Sequence, residues 1–153
     1  MTVAAWIRRC AHWHGERTAF VSGHRRQSYA EFNARANQQV HALHALGLVK
    51  GDRVAVLVNN TIEALEATAA AAKGGFVHVP INFRLSAREV GEILRHSGAR
   101  VLLVDRDYAD KATQAGDCPA LERVIQITPG ETESEYEAWL KNESEAEPEV
   151  DIT

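Results

Sequence analysis

Cysteine, proline and methionine are scarce in this 153-residue chain, which has two, four and one of them. Cys10 and Cys118 stand far apart and fit no CxxC or Cys/His spacing, so they read as reduced thiols of a cytosolic protein and not as a disulfide frame. No apolar run approaches the ~20 residues that a membrane-spanning helix needs. The opening MTVAAWIRRC lacks the apolar core and cleavage pattern of a secretory signal. Several catalytic and nucleotide-binding signatures are missing as well. No GxGxxG follows a strand, and there is no GxxxxGK[ST], GxSxG or HExxH. What remains is an ordinary globular composition, 45% hydrophobic and 25% charged. That excludes disorder over the whole length and suits about one domain.

The net charge of −4 is unevenly spread. Residues 1–100 carry 13 Lys and Arg against 7 Asp and Glu, whereas residues 101–153 carry 4 against 14. A basic first part can meet an anionic ligand, while the acidic end repels nucleic acid; otherwise such runs are solvated surface.

Local patterns predict the elements. Residues 1–14 form a short helix-like segment, and Ser22, Gly23 and His24 join two short strands, 18–21 and 27–29. Ser28 and Glu31 make a capping box that opens a helix with Phe32, Ala36, Val40 and Leu43 on one face, ending at Gly47. Residues 53–58 are a nearly continuous apolar strand of the kind buried on both faces. Asn60 is expected to cap the next helix, which is alanine-rich over 64–72 and stops at Gly74 and Gly75. A strand over 76–79, a helix opened by Ser86 and Glu89, a strand over 101–104, a helix capped by Asp105 and a strand over 124–127 follow. Strands joined by helical crossovers run parallel. The fold class is therefore α/β, an open and mainly parallel sheet flanked by helices. Residues 134–140 predict one more short helix, and the acidic stretch 143–149 reads as a linker or exposed loop.

Candidate chemistry is sparse. His12 with His14, and His41 with His44, have spacings that metal ligands use, but no carboxylate or cysteine completes either site, so no metal is expected. His78 is expected to pack against a covering helix. Glu63 and Glu66 lie three apart on one helical face and are expected to face solvent. Asn59 and Asn60 follow a buried strand at the carboxyl edge, where open α/β sheets bind ligands; the plainer alternative is a turn and helix cap. No catalytic residue emerges.

Four runs, in this order and at these spacings, carry a family likeness. SYAEF (28–32), LGLVKGDRVAVL (46–57), NNTIE with GFVHVPINFRL (59–63 and 75–85) and SGARVLLVD (97–105) resemble the start of the adenylate-forming, AMP-binding acyl-CoA synthetase and ligase superfamily. The resemblance implies a two-step reaction: a carboxylate is activated with ATP and Mg²⁺ to an acyl-adenylate, then transferred to coenzyme A. It also implies that residues 1–130 form an N-terminal subdomain of an acyl-CoA synthetase-like fold. Residues 131–153 would be a short helix and acidic linker ending before the phosphate-binding loop. That Ser/Thr/Gly-rich loop ending in Pro-Lys-Gly, the acidic Mg²⁺ ligand and the C-terminal lysine of the family are not in this sequence. The chain alone is accordingly expected to be inactive and to bind none of ATP, Mg²⁺ and coenzyme A tightly. Its expected partners are the remainder of a ligase chain or a second copy meeting an uncovered apolar face. The alternative is a stand-alone, non-catalytic interaction module. One residue transfers: Arg84, in the NFRL run, matches the arginine that contacts coenzyme A phosphate in some of these ligases, and a guanidinium suits phosphate through paired donors.

Overall fold

The computed structural model describes residues 2–151. Helix α1 (Val3–His14) is capped by the Thr2 hydroxyl, which accepts from the Ala5 N–H. A hairpin of β1 (Thr18–Ser22) and β2 (Arg25–Ser28) leads into α2 (Tyr29–Ala45), opened by the capping box of Ser28 and Glu31. Then β3 (Arg53–Leu57), α3 (Ile62–Gly74), β4 (Val77–Pro80), α4 (Ala87–Ser97) and β5 (Val101–Asp105) alternate. A 3-10 turn at Arg106–Tyr108 runs into α5 (Ala109–Thr113), and β6 (Arg123–Ile127) and α6 (Glu135–Leu140) complete the order. The main sheet is parallel throughout, in the order β4-β3-β5-β6.

Strand periodicity sorts the core. Val54, Val56, Val101 and Leu103 point to one face, packing with Val40 and Leu43 of α2, the alanines of α3, and Tyr136 and Leu140 of α6. Ala55, Leu57, Leu102 and Val104 point to the other, packing with Val90 and Leu94 of α4 and Ala115. Small side chains set the spacing: Ala67, Ala69, Ala70 and Ala71 of α3 are all buried. Gly91 of α4 lies so close to the chain after α5 that a Cβ there would stand 2.0 Å from the Ala115 carbonyl oxygen. A smaller cluster of Phe32, Ala36 and Ala69 receives Ile7 of α1 and Phe20 of β1.

The residues of the GDR run staple loops together. The Asp52 carboxylate accepts from the Val49 N–H at 2.7 Å and from Arg100 at 2.6 Å, while Arg53 donates to the carbonyls of Ser97 and Gly98 at 2.8 Å each. Gly75 ends α3 in the left-handed region (φ 69°), as the glycine pair predicts.

One local expectation needs correction. Thr61, not Asn60, caps α3, its hydroxyl accepting from the Ala64 N–H at 3.3 Å. With Thr61 as the cap, Glu63 falls one position short of reaching back to it and turns inward instead. The acidic stretch 143–149 is mostly exposed but is tied to the body. Glu147 meets the buried Lys73 ammonium at 2.8 Å, and Asn37 donates to the Glu145 carbonyl at 2.8 Å. Among the described residues no helix is long and apolar enough to cross a membrane.

Candidate functional site

At the carboxyl edge of β3 and β4 a cleft of about 560 Å³ opens between the turn that follows each strand. Asn59 and Asn60 line one side, Asn82, Phe83 and Arg84 the other, with His78, Ala64 and Thr68 between them. Carboxyl ends of parallel strands are where open α/β sheets present ligand sites, because the loops there diverge.

The 82–85 turn is held from below. The Lys111 ammonium donates to the carbonyls of Phe83 and Leu85 and lies 5.3 Å from the Tyr108 ring centroid. Tyr108 stacks on Phe83 at 5.4 Å and donates its hydroxyl to Asn59 at 2.8 Å, joining the two sides of the cleft. The Asn82 side chain accepts from the Arg84 N–H at 3.0 Å. Arg84 is exposed, with its guanidinium 5.6 Å from the Phe83 ring centroid, and among the described residues no carboxylate pairs with it. A cation preplaced on an aromatic face and free of counter-charge suits an anionic group. His78 is half-buried, its Nε2 has no hydrogen-bond partner, and burial holds the imidazole below its ordinary pKa, so it is neutral near pH 7.

The second polar assembly overturns an expectation. Glu63 and Glu66 do not face solvent; they are 2% and 0% exposed. Arg25 of β2 pairs with Glu63 at 2.7 Å, and Arg35 of α2 pairs with Glu66 at 2.6 Å. Arg35 also donates to Glu137 of α6 at 2.7 and 2.9 Å. Gln27 and the Tyr136 hydroxyl complete Glu66, at 2.6 and 2.8 Å. Burial opposes the charges of Arg35 and Glu63, but their hydrogen bonds and opposite charges outweigh it. Arg35 is pushed well above its ordinary pKa by the two carboxylates, and Glu63 is held low by Arg25. Burial, with Glu66 beside it, pushes the Tyr136 phenol well up. Because most of these charges are answered within the chain, the assembly fixes how β2, α2, α3 and α6 meet. The signal for it lay in α3 itself: carboxylates set into a helix made mostly of alanine.

The histidine pairs are not brought together as sites. His41 bonds the Ala146 carbonyl at 3.0 Å, whereas His44 packs edge-on to Phe76 at 5.5 Å. His12 and His14 are exposed at the end of α1. Among the described residues no three His, Cys, Asp or Glu side chains converge on a point where a metal could sit.

Comparison with known proteins places this geometry. The family model for "AMP-binding enzyme" matches residues 7–152. A long-chain-fatty-acid–CoA ligase, FadD13 of Mycobacterium tuberculosis, is 50% identical over 78 residues, covering 51% of this chain and 16% of that protein. The 3-oxocholest-4-en-26-oate–CoA ligase of Rhodococcus rhodochrous is 31% identical over 131 residues, or 86% of this chain and 24% of the relative. The chain thus spans about a quarter or less of these relatives' length. Among solved structures, the N-terminal domain of FACL13 from Mycobacterium tuberculosis superposes with a TM-score of 0.89 at 33% identity, covering 98% of this chain and 38% of that one. With its parallel sheet and its sequence both matched, the chain belongs to the AMP-binding enzyme family and corresponds to an N-terminal portion of that family's acyl-CoA ligases.

Proposed function

We propose that this chain is the N-terminal scaffold of a cytoplasmic, AMP-forming ligase that joins a fatty or aromatic acid to coenzyme A. The supporting observation is the match to acyl-CoA ligases across most of the chain, 131 residues in one relative. In the reaction, a carboxylate oxygen attacks the α-phosphorus of ATP and the bond to pyrophosphate breaks. The deprotonated thiol of coenzyme A then attacks the acyl carbonyl and expels AMP.

This chain's share of that work is positioning. Arg84 would steady a phosphate of coenzyme A through paired N–H donors, held in place by Phe83, Tyr108 and Lys111. Bound Mg²⁺ would neutralise triphosphate charge, but among the described residues no carboxylate cluster fits it. Residues that hold the triphosphate belong to other parts of a ligase, so the chain by itself forms no acyl-adenylate.

A chimera tests the reading. Residues 1–153 replace the matching segment of the mycobacterial FadD13 ligase, and thioester formation is followed. Retained activity supports the assignment; a folded chimera that cannot form acyl-CoA contradicts it. Arg84→Ala in that chimera raises KM for coenzyme A about tenfold, as expected for loss of a charge-assisted phosphate contact, and leaves ATP–pyrophosphate exchange unchanged.

A further inference from the structure

Residues 143–151 follow α6 with no helix or strand of their own, and none of them is buried. They nevertheless lie along the body. One stripe of α2, spaced four residues apart, receives them. Asn37 donates to the Glu145 carbonyl at 2.8 Å, and the His41 Nε2 lies 3.0 Å from the Ala146 carbonyl. Asn33 donates to one oxygen of the Glu147 carboxylate at 2.7 Å. The Lys73 ammonium of α3 donates to the other at 2.8 Å and to the Asn33 carboxamide oxygen at 2.7 Å. The Lys73 side chain is 1% exposed, against 36% for Glu147.

We propose that Lys73 is a positioning residue, anchoring residues 143–151 as a strap that sets where the chain beyond residue 151 begins. A segment without buried side chains gains little from apolar burial, so its course depends on its polar ties. The Lys73 charge is costly where it sits: burial, with Arg8 nearby, opposes the ammonium, and Glu147 is the carboxylate that answers it. A methionine would fill the same slot with no charge to desolvate, and exchanges of that kind are often neutral or stabilising. What the lysine adds is therefore one defined seat for Glu147, more than support for α3. From that seat the strap reaches Lys50, which donates to the Asp151 carbonyl at 2.7 Å from the turn before β3, at the amino edge of the sheet. A strand that starts at this edge and runs parallel to β3 ends at the carboxyl edge, where open α/β sheets bind ligands. The anchoring is a property of these residues alone, whereas its effect on the use of ATP rests on the ligase reading.

Lys73→Met frees the strap without stranding a buried charge, and Glu147→Ala frees it from the exposed side. The 153-residue chain is digested with a protease that cuts after glutamate. Cleavage is read by mass at Glu143, Glu145 and Glu149, with exposed Glu16 as internal reference. Each variant is expected to be cut in the strap at least about tenfold faster than the parent chain, because cleavage follows the population of the open form. Undiminished protection of the strap in either folded variant overturns the anchor. In the FadD13 chimera, Lys73→Met should lower kcat/KM for ATP at least about tenfold and leave KM for coenzyme A within about twofold. Unchanged use of ATP, or equal losses for ATP and coenzyme A, overturns the positioning role. A folded chimera that is inactive with Lys73 in place contradicts the ligase reading and the positioning role with it, while the digestion still decides the anchor.

Discussion

Removing the Glu66 carboxylate is the sharpest probe of how this scaffold is held. Glu66 is fully buried and accepts from Gln27 at 2.6 Å, from Arg35 at 2.6 and 3.2 Å and from Tyr136 at 2.8 Å. Breaking a buried ion pair by deleting one partner costs roughly 3–5 kcal/mol, because the other charge stays behind uncompensated. Arg35 keeps Glu137, whose side chain is 26% exposed, so the cost of Glu66→Ala falls near the lower limit, about 3 kcal/mol. For a chain of this length that lowers Tm by roughly 6–12 °C. Urea and thermal melts read the change. Adding Arg35→Met to the Glu66→Ala variant removes the stranded charge and should restore part of the loss, giving a coupling energy well above the ~0.5 kcal/mol of independent sites. A loss below about 1 kcal/mol, or equal losses with Arg35 and Met at position 35, would refute the network as a structural clamp.

Gly91→Ala should destabilise the chain by more than the ~1 kcal/mol typical of a point change, because the added Cβ meets a backbone carbonyl at 2.0 Å; unchanged melting would show that α4 does not lie that close to Ala115. Acid should unfold the chain through Asp52, Glu63 and Glu147, which burial pushes up but hydrogen bonds hold net below their ordinary values. A carboxylate held low in the folded state contributes stability that is complete above its unfolded value and is lost as pH falls through the folded one. Melting temperatures should therefore hold between pH 7 and ~5 and fall below ~4; a flat profile to pH ~2 would contradict the shifts.

The sheet was legible because its strands are continuous apolar runs and its helices open on local signals. The capping boxes at Ser28 and Ser86 and the stop at Gly75 are all decided within four residues of sequence. Arg84 was reached by another route, the likeness of its NFRL run to the acyl-CoA ligases, since local signals mark only a turn there. Pairings over long separations were not legible. Arg25 is 38 residues from Glu63, Arg35 is 31 from Glu66, and Lys73 is 74 from Glu147. Helical spacing places Glu63 and Glu66 on one face but says nothing of the counter-charges waiting there, so solvent was the default. The stack of Phe83 on Tyr108 and the grip of Lys111 on the 82–85 turn escaped likewise, since helix α4 and strand β5 separate them in the chain.

Pyrophosphate release tests most directly whether this chain is scaffold alone. The purified 153 residues are incubated with ATP, Mg²⁺ and a panel of fatty and aromatic acids. No pyrophosphate above the protein-free control is predicted, whereas acid-dependent turnover would place the missing phosphate-holding groups within these residues and contradict the account.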